Sequence, residues 1–336
     1  MDLKTLTEIN APSGHEQAIR RFLLDELKKL GFAPVLDRMG NVVVVKEGTG
    51  DAPRKRVMVS AHMDEVGLIV TSATEDGYLR IAAAGGIDPR VLVSKRVTVG
   101  EDKLPGVIGA VPIHLQSAAE RKHVLSIDEL LVDIGAKNKD EAERKAPMGT
   151  YISFDTPYVE YGDGFACGKA FDDRVGCLSL LRLLQEELPV DLVACFVSEE
   201  EVGCRGAKGA AFQQEPDIGI VLEGTTCNDL GDVPETAHVC EAGQGVTVSF
   251  MDGASIANRA LFRKALDVAK QENIPHQVKH SVSGGNDGGA IQRAREGVPV
   301  VVLSVPCRYI HSPSSVVKLS DVESQFALVK ALVKAL

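Results

Sequence analysis

Residues 56–67 read RVMVSAHMDEVG, an apolar and β-branched run that ends at His62. A run this short, bounded by turn-forming residues, is typical of a buried β-strand. Histidine is a frequent metal ligand, and the carboxylate of Asp64, two residues further on, is suited to hold its second ring nitrogen. An ordinary polar turn at the end of a strand is the alternative interpretation of this segment.

Further apolar runs alternate with amphipathic segments on either side of this strand. Strand-like runs occupy residues 41–45, 191–197, 218–222 and 299–305, and helical patterns occupy residues 18–30, 172–188, 256–273 and the chain from about 321. This alternation predicts an α/β fold, a mixed sheet covered by helices on both faces. Ser13 and Glu16 have capping-box spacing before the first helix, and Gly31 is suited to end it.

The stretch from 67 to 164 differs from the rest of the chain. It is rich in Gly, Pro and Val, and short alternating segments occur at residues 78–82, 96–99 and 106–111. Such a pattern predicts short strands joined by turns. We therefore expect residues 67–164 to form a small β-barrel-like domain, inserted into a main domain made of residues 1–66 and 165–336.

The composition narrows the classes of partner. The 336 residues carry a formal net charge of −10, which argues against nucleic acid and anionic membranes. We see no signal peptide and no apolar run near the ~20 residues that span a bilayer. The seven cysteines are odd in number and form no CxxC pair, which indicates reduced, mostly structural thiols and a cytoplasmic location.

Acidic residues and a second histidine follow other predicted strands or begin a helix. Glu199, Glu200 and Glu201 end one apolar run, Glu223 ends the next, and His311 follows the last. In open α/β sheets, sites are built at such strand ends, and adjacent buried carboxylates need a cation. Each residue alone has an ordinary structural explanation. Together they form a mixed nitrogen and oxygen donor set that suits zinc, cobalt or manganese.

Several motifs resemble one known family. They are APSGHE at 11–16, AHMDEVG at 61–67, GVIGAVPIHL at 106–115, FDDR at 171–174, EEVGCRGA at 200–207, LEGT at 222–225 and RYIHSP at 308–313. In this order they resemble the M42 metallo-aminopeptidases, which include glutamyl, leucyl and deblocking aminopeptidases and members labelled endoglucanase M. The resemblance covers essentially the whole chain, and it implies a metallopeptidase-type catalytic domain with an inserted dimerisation domain.

The resemblance also implies a ligand set for two divalent metal ions in each subunit. His62 and Glu223 would bind the first ion, and Glu201 and His311 would bind the second. Asp172, the first residue of the helix predicted over residues 172–188, would bridge both ions. Zinc, cobalt and manganese all fit these ligand types.

Two further positions acquire catalytic roles from the resemblance. Glu200 would be the general base, acting on a hydroxide held between the two ions, and Asp64 would orient His62. A free carboxylate is required at Glu200 because a metal-bound one is a poorer base. The implied reaction is the hydrolysis of N-terminal residues from peptides.

Other functions and the partners are open at this point. β-Glucanase activity is one alternative, because paired glutamates can serve glycoside hydrolysis, and a non-catalytic peptide-binding assembly protein is another. The resemblance implies homodimers that build a tetrahedral dodecamer, with His114 either near a neighbouring subunit's site or merely structural. Three segments depart from the family pattern, namely Ser314-Ser315, residues 284–287 and Gly245-Val246.

Overall fold

A computed structural model describes residues 2–336 of the chain. The strands are β1 (Val35–Leu36), β2 (Val42–Lys46), β3 (Arg56–His62), β4 (Gly67–Ala73), β5 (Leu79–Ala84), β6 (Arg96–Val99), β7 (Leu104–Gly109), β8 (Leu131–Asp133), β9 (Tyr151–Phe154), β10 (Val159–Tyr161), β11 (Phe165–Gly168), β12 (Asp191–Val197), β13 (Ile218–Thr226), β14 (Val246–Ser249), β15 (His276–Val278), β16 (Val300–Arg308) and β17 (Ser315–Lys318). The α-helices are α1 (Leu3–Thr7), α2 (Gln17–Lys29), α3 (Lys139–Lys145), α4 (Phe171–Leu183), α5 (Arg205–Gln214), α6 (Arg259–Gln271), α7 (Asp287–Gln292) and α8 (Leu319–Lys334).

An 11-stranded sheet forms the larger part of the molecule. Its order is β1-β2-β12-β3-β13-β16-β17-β11-β10, with β14 and β15 attached beside β16. The central strands β12, β3, β13 and β16 run parallel to one another, and the flanking strands are antiparallel. The sheet is therefore mixed, as the sequence predicts, and the carboxyl ends of its four parallel strands lie side by side.

Helices cover both faces of this sheet because the side chains of each central strand alternate between two cores. Val57 and Val59 of β3 pack into a core with α2, α4, α6 and α8, whereas Met58 packs into a second core with α5 and α7. Successive residues of a strand point to opposite faces, so a continuous apolar run is required when both faces are covered. The predicted α/β class is confirmed.

A separate closed barrel is built by β4-β5-β8-β7-β6-β9, with its own apolar core. This confirms the predicted barrel-like unit within the insert. β10, at Val159–Tyr161, pairs with β11 in the large sheet, although the sequence assigns residues up to 164 to the insert. The division of the chain into two domains at residues 67 and 164 remains a prediction.

The ends of the helices differ in part from those that the sequence predicts. Gly31, with φ of 86°, follows the end of α2 as expected. The predicted capping box is wrong, because Glu16 at the N-cap makes no side-chain capping bond and Ser13 bonds elsewhere. Among residues 2–336, no helix combines the length and the apolar character needed to cross a membrane.

Candidate metal centre

The residues singled out at the strand ends meet at one edge of the large sheet. His62 is the last residue of β3, the three glutamates follow β12, Glu223 lies in β13, and His311 follows β16. Because these four strands are parallel neighbours, the chain delivers all of these side chains to one place. Asp172 reaches the same place from the first turn of α4, where the Asp172–Asp173 peptide bond is cis.

Asp172 lies between the two histidines. Its Oδ1 is 3.4 Å from Nε2 of His62, and its Oδ2 is 3.5 Å from Nε2 of His311. Burial opposes ionisation of Asp172, but the two imidazoles outweigh burial and hold its pKa below the ordinary value. One carboxylate therefore presents an oxygen to each of two ring nitrogens, the position that the family resemblance implies for a residue shared by two ions.

His62 faces this cluster with a ring nitrogen that lacks a hydrogen-bond partner. Its Nδ1 is 3.1 Å from the backbone carbonyl oxygen of Asp64, which can only accept, so Nδ1 is the donor and Nε2 is the atom that faces the cluster. Nε2 is 3.6 Å from Oε2 of Glu223. Neither this Nε2 nor Oε1 of Glu223 has a hydrogen-bond partner among residues 2–336. Buried polar atoms left in this way fit a divalent cation placed between them.

The second half of the cluster contains His311 and Glu201. Nε2 of His311 is 3.3 Å from Oε2 of Glu201. Burial disfavours the charged imidazole, but Asp172 and Glu201 outweigh it and raise the pKa of His311 to about 9. Burial raises the pKa of Glu201 to about 8, against the opposing charge of His311. The cluster thus retains protons that a cation would replace.

The three adjacent glutamates have different surroundings. Glu199 has a positive φ of 54°, and its carboxylate pairs with the exposed Arg205 at 3.2 Å. Glu201 faces His311, as described above. Glu200 is half-buried, and its Oε1 accepts a hydrogen bond from Sγ of Cys204 at 3.4 Å. Burial raises the pKa of the Glu200 carboxyl, and the charges of Asp172 and Asp64 add to this effect.

Asp64 is fully buried, and its carboxylate has further partners besides His62. Its oxygens accept the backbone N–H groups of Glu200 and Glu201, and the hydroxyl of Ser13 donates to Oδ2 at 2.6 Å. Oδ1 lies 3.5 Å from Nδ1 of His62, further away than the carbonyl oxygen of Asp64 itself. Asp64 therefore faces Nδ1 of His62 with both its carbonyl and its carboxylate, and its side chain also holds the loop of the three glutamates, called the glutamate loop below.

Asp173 is a further carboxylate within reach of His62. Single ligand atoms of His62, Asp173 and Glu223 lie within 4.8 Å of one another, as do those of His62, Asp172 and Glu201. The oxygens of Asp173 already accept backbone N–H groups, from His62 at 3.2 Å and from Gly176 at 2.9 Å. Both oxygens of Asp173 are thus occupied, whereas only Oδ1 of Asp172 accepts a backbone N–H, that of Gly224, so Asp172 is the more available of the two for a cation.

Sequence reasoning missed a buried ion pair next to this centre. Nζ of Lys169 is 2.7 and 2.8 Å from the two oxygens of Glu65, and both side chains are almost fully buried. Glu65 Oε1 also accepts the N–H of Ala11. Glu65 belongs to the AHMDEVG motif, but only a contact between positions 104 residues apart shows its pairing with Lys169.

Asp287 is another residue of interest that the sequence does not single out, because residues 284–287 match the family pattern only loosely. Its side chain is 1% exposed, and neither oxygen has a hydrogen-bond partner among residues 2–336. An acidic residue at a helix start has an ordinary explanation in sequence. His114 lies in an exposed turn of the insert, residues 113–115, which is not one of the segments that form the centre.

A model of the M42 glutamyl aminopeptidase family matches residues 40–328. The lysyl aminopeptidase of Pyrococcus furiosus is 33% identical over 345 residues, covering 99% of this chain and 96% of the relative. The glutamyl aminopeptidase of Lactococcus lactis subsp. cremoris is 33% identical over 346 residues, covering 99% and 95%.

Solved structures resemble the whole chain as well. The TET1 peptidase of Pyrococcus horikoshii, described as able to assemble into a tetrahedron or a large octahedral shell, has a TM-score of 0.87 at 33% identity, covering 99% of this chain and 98% of that one. A Thermotoga maritima protein described as an endoglucanase has a TM-score of 0.82 at 33% identity, covering 100% and 97%.

Proposed function

The chain belongs to the M42 family of aminopeptidases, which are hydrolases, and we propose that it removes N-terminal residues from peptides at a centre of two divalent ions. The observation that carries this proposal is Asp172, whose two oxygens lie 3.4 and 3.5 Å from the ring nitrogens of His62 and His311. A carboxylate placed between two imidazoles is the arrangement that a shared ligand of two ions requires.

We assign His62, Asp172 and Glu223 to one ion and Asp172, Glu201 and His311 to the other. The unpartnered Nε2 of His62 and Oε1 of Glu223 support the first assignment. The 3.3 Å contact of His311 with Glu201 supports the second. Imidazole and carboxylate donors suit zinc, cobalt and manganese. When bound, two such ions polarise a peptide carbonyl and lower the pKa of a coordinated water toward ~7.

Glu200 is proposed as the general base. The Glu200 carboxylate belongs to neither of these ligand sets. Its raised pKa lies closer to the operating pH, and a base with such a pKa can accept a proton and then release it again. In this role it takes the proton of the attacking water and passes it to the amine nitrogen of the leaving peptide. Asp64 supports the role by fixing the backbone of Glu200 and Glu201.

The substrate preference is not transferred from any relative. The two similar aminopeptidases named above are described as lysyl and glutamyl enzymes, which act on N-terminal residues of opposite charge. We therefore propose peptide N-termini as the substrate class and expect the preferred residue to emerge from a panel of aminoacyl-p-nitroanilides assayed with zinc, cobalt and manganese.

The central experiment combines metal content with a base variant. We expect about two transition-metal ions per chain, release of p-nitroaniline from aminoacyl substrates and no reducing sugar from cellulose. Glu200→Gln should keep both ions and lose activity by roughly 10²–10⁴-fold, the usual contribution of a general base. Glu199→Gln is the matched control and should remain active, because that carboxylate pairs with Arg205.

Each alternative function has its own outcome in the same experiment. Sugar release without peptide hydrolysis would support the glucanase reading suggested by the endoglucanase description of one similar structure. Peptide binding without any hydrolysis would support an assembly protein. Full activity in Glu200→Gln would move the base to another residue, and a protein without metal would contradict the two-ion centre.

We also propose that the chain forms homodimers that build a tetrahedral dodecamer. The similar TET1 peptidase is described as able to assemble into a tetrahedron or a large octahedral shell. An exposed apolar loop of the insert supports this, since Val111, Ile113, Leu115 and Val124 are 60%, 68%, 69% and 56% exposed. Light scattering should give a mass above that of one chain, and Ile113→Asp with Leu115→Asp should reduce it. A monomeric wild type would contradict the proposal.

The location in the cell follows from the thiols. All seven cysteines are unpaired in the structure, and five of them are buried. Free thiols persist in reducing compartments, so we propose that the protein acts in the cytoplasm. Fractionation of cells that express the tagged chain would test this, and recovery outside the cytoplasmic fraction would contradict it.

A further inference from the structure

A third group of potential ligands lies beside the centre and shares no residue with the two proposed ligand sets. Single ligand atoms of Glu200, Cys204 and Asp287 lie within 4.8 Å of one another. The contact between Sγ of Cys204 and Oε1 of Glu200 is 3.4 Å. We refer to these three residues as the thiol cluster. Its only member with a proposed role is Glu200.

Two packed helices hold the thiol cluster in place. Cys204 precedes α5, with a positive φ of 53°, and Asp287 is the first residue of α7. The two helices pack through small side chains, including Ala207 and Ala290, in the core on their face of the sheet. Glu200 comes from the loop after β12. The three side chains thus converge from separate, well-anchored segments.

Asp287 is the member of the thiol cluster that most needs a bound proton or cation, because its carboxylate is buried. Its side chain is 1% exposed, and both of its oxygens lack a hydrogen-bond partner within residues 2–336. The neighbouring Asn286 directs its amide to Asp252, not to Asp287. Within the same residues, neither Asp287 nor Glu200 takes part in an ion pair with lysine or arginine. Burying a carboxylate without any partner is costly, so a proton or a cation must compensate it.

A proton can fill this role in place of a cation. Burial, and then the charge of Glu200, raises the pKa of Asp287. Burial, and then the charges of Asp287 and Glu200, raises the pKa of the Cys204 thiol. A divalent cation would displace such protons, because thiolates and carboxylates bind metals in their deprotonated forms.

The geometry and the donor types suit a thiophilic ion of zinc size. With Zn–S of about 2.3 Å and Zn–O of about 2.0–2.2 Å, tetrahedral ligation places sulfur and oxygen about 3.5–3.7 Å apart. The observed separation of Sγ and Oε1 is 3.4 Å. One thiolate with two carboxylates favours zinc or cobalt over magnesium or calcium, which prefer oxygen ligands alone.

We propose that Glu200, Cys204 and Asp287 form an inhibitory site for a third divalent cation of the zinc type, whose binding removes Glu200 from its role as base. The inhibitory effect rests on the proposed function of Glu200, whereas the binding site itself does not. Excess zinc would then switch off the enzyme while the two catalytic ions stay in place.

The site can be detected without an activity measurement. The proposed ligands of the two catalytic ions contain no sulfur, so a thiolate-to-cobalt charge-transfer band in the near ultraviolet reports the thiol cluster. In a cobalt titration of the metal-free full-length protein, we expect this band to grow after the first two equivalents. Cys204→Ser should abolish it, and Cys167→Ser, the other half-buried thiol, should leave it unchanged. Asp287→Asn should shift the titration to at least tenfold higher cobalt.

Inhibition is then compared with each variant's own activity at two equivalents of zinc. Wild type should lose most of its activity in excess zinc, and Cys204→Ser and Asp287→Asn should need at least tenfold more zinc for the same fractional loss. The second variant is nearly isosteric, so it covers the case in which the serine variant fails to fold. Parallel zinc inhibition in wild type and in both folded variants would overturn the proposal.

The spectroscopic outcomes separate this proposal from the proposed function. Absence of the band in wild type, or its persistence in Cys204→Ser, overturns the third site whatever the enzyme does. A band that grows at the third equivalent without loss of peptidase activity confirms the site but overturns its inhibitory role, and it argues against Glu200 as base. A band within the first two equivalents contradicts both the third site and the assigned catalytic ligands.

Discussion

The carboxylate of Asp64 holds the backbone of Glu200, because its Oδ1 accepts the N–H of Glu200 at 3.0 Å. Its Oδ2 accepts the N–H of Glu201 at 3.2 Å and the hydroxyl of Ser13 at 2.6 Å. The bonds tie the end of β3 to the loop after β12. The position of the proposed base and of one proposed ligand therefore depends on a residue that would bind neither ion.

Replacing Asp64 should weaken metal binding and catalysis together. Asp64→Asn keeps the size of the side chain. The NH2 group of its amide would face at least one backbone N–H group, and because both groups are donors we expect the glutamate loop to shift. Loss of a residue that supports ligands in this way costs about 10–100-fold in metal affinity or activity. Titration with a competing metal chelator and measurement of kcat would check this.

Ser13→Ala is the matched control for this change. It removes one donor to the same carboxylate but keeps both backbone bonds, so metal affinity should fall by less than Asp64→Asn causes. Equal effects of the two variants would contradict the idea that Asp64 acts through the glutamate loop.

The ion pair of Lys169 with Glu65 should matter for stability more than for chemistry. Both side chains are nearly inaccessible, at 4% and 3% exposure. Lys169→Met would leave the buried carboxylate unpaired, which costs about 3–5 kcal/mol in the free energy of unfolding. Urea unfolding of the metal-free protein, followed by circular dichroism, would measure the change.

A double variant gives the control for this prediction. Glu65→Gln with Lys169→Met removes both charges while an amide remains to accept the N–H of Ala11. We expect it to regain a large part of the stability lost in Lys169→Met, since neutral replacement of a buried pair is often tolerated. If the double variant is less stable than the single one, the charge argument fails.

The bidentate pair of Asp229 with Arg308 should make stability depend on acidity. Nε and Nη2 of Arg308 each lie 2.7 Å from an oxygen of Asp229, at the end of the strand that leads to His311. Burial opposes the charge of Asp229, but Arg308 outweighs it and lowers the pKa to about 2. The unfolded value is about 3.9, so the pair contributes about 2 kcal/mol above pH 4 and loses it between about pH 4 and pH 2.

Asp229→Asn should accordingly lower the free energy of unfolding at pH 7, and its difference from wild type should shrink as the pH falls toward 2. The comparison uses metal-free protein, so that metal ligands titrate equally in both. Arg182, which pairs with Glu323 on the surface, supplies the control, since Glu323→Gln should change stability by less than about 1 kcal/mol. A constant difference across this pH range would contradict the assignment.

The sequence predicts that the side chains of this site lie close together, because most of them follow or end an apolar run that identifies a strand. His62, Glu201, Glu223 and His311 each follow or end a long apolar run, and parallel neighbours deliver such ends to one edge. The same periodicity predicts the central strands to within a few residues, apart from β13 and β16, which extend to Thr226 and Arg308.

What the sequence could not predict depends on contacts between distant segments. Ser13 fits a helix cap by spacing, yet its hydroxyl is taken by Asp64, 51 residues away. Asp287 begins a helix of only six residues, too short for a periodic signal. Strands of three or four residues, such as β14 and β15, carry too few side chains for alternation to show. Tertiary packing, not local propensity, decides each of these cases.

Removal of the proposed metal ions should destabilise the protein, because several buried carboxylates surround two histidines at this site. Burial raises the pKa of Glu223 and of Asp173 well above the ordinary value, so a divalent cation is needed to stabilise their charged forms. Each ion that binds only the folded chain adds about 2.7 kcal/mol at a hundredfold excess over its Kd. Chelator should therefore lower the melting temperature, and zinc or cobalt should restore it.

Glu223→Gln and His311→Ala should each lose the stabilisation by one ion and keep the stabilisation by the other, as counted by metal analysis. If either variant still bound two ions with wild-type affinity, that residue would not be a ligand, and the assignment of the two ions to separate ligand sets would fall.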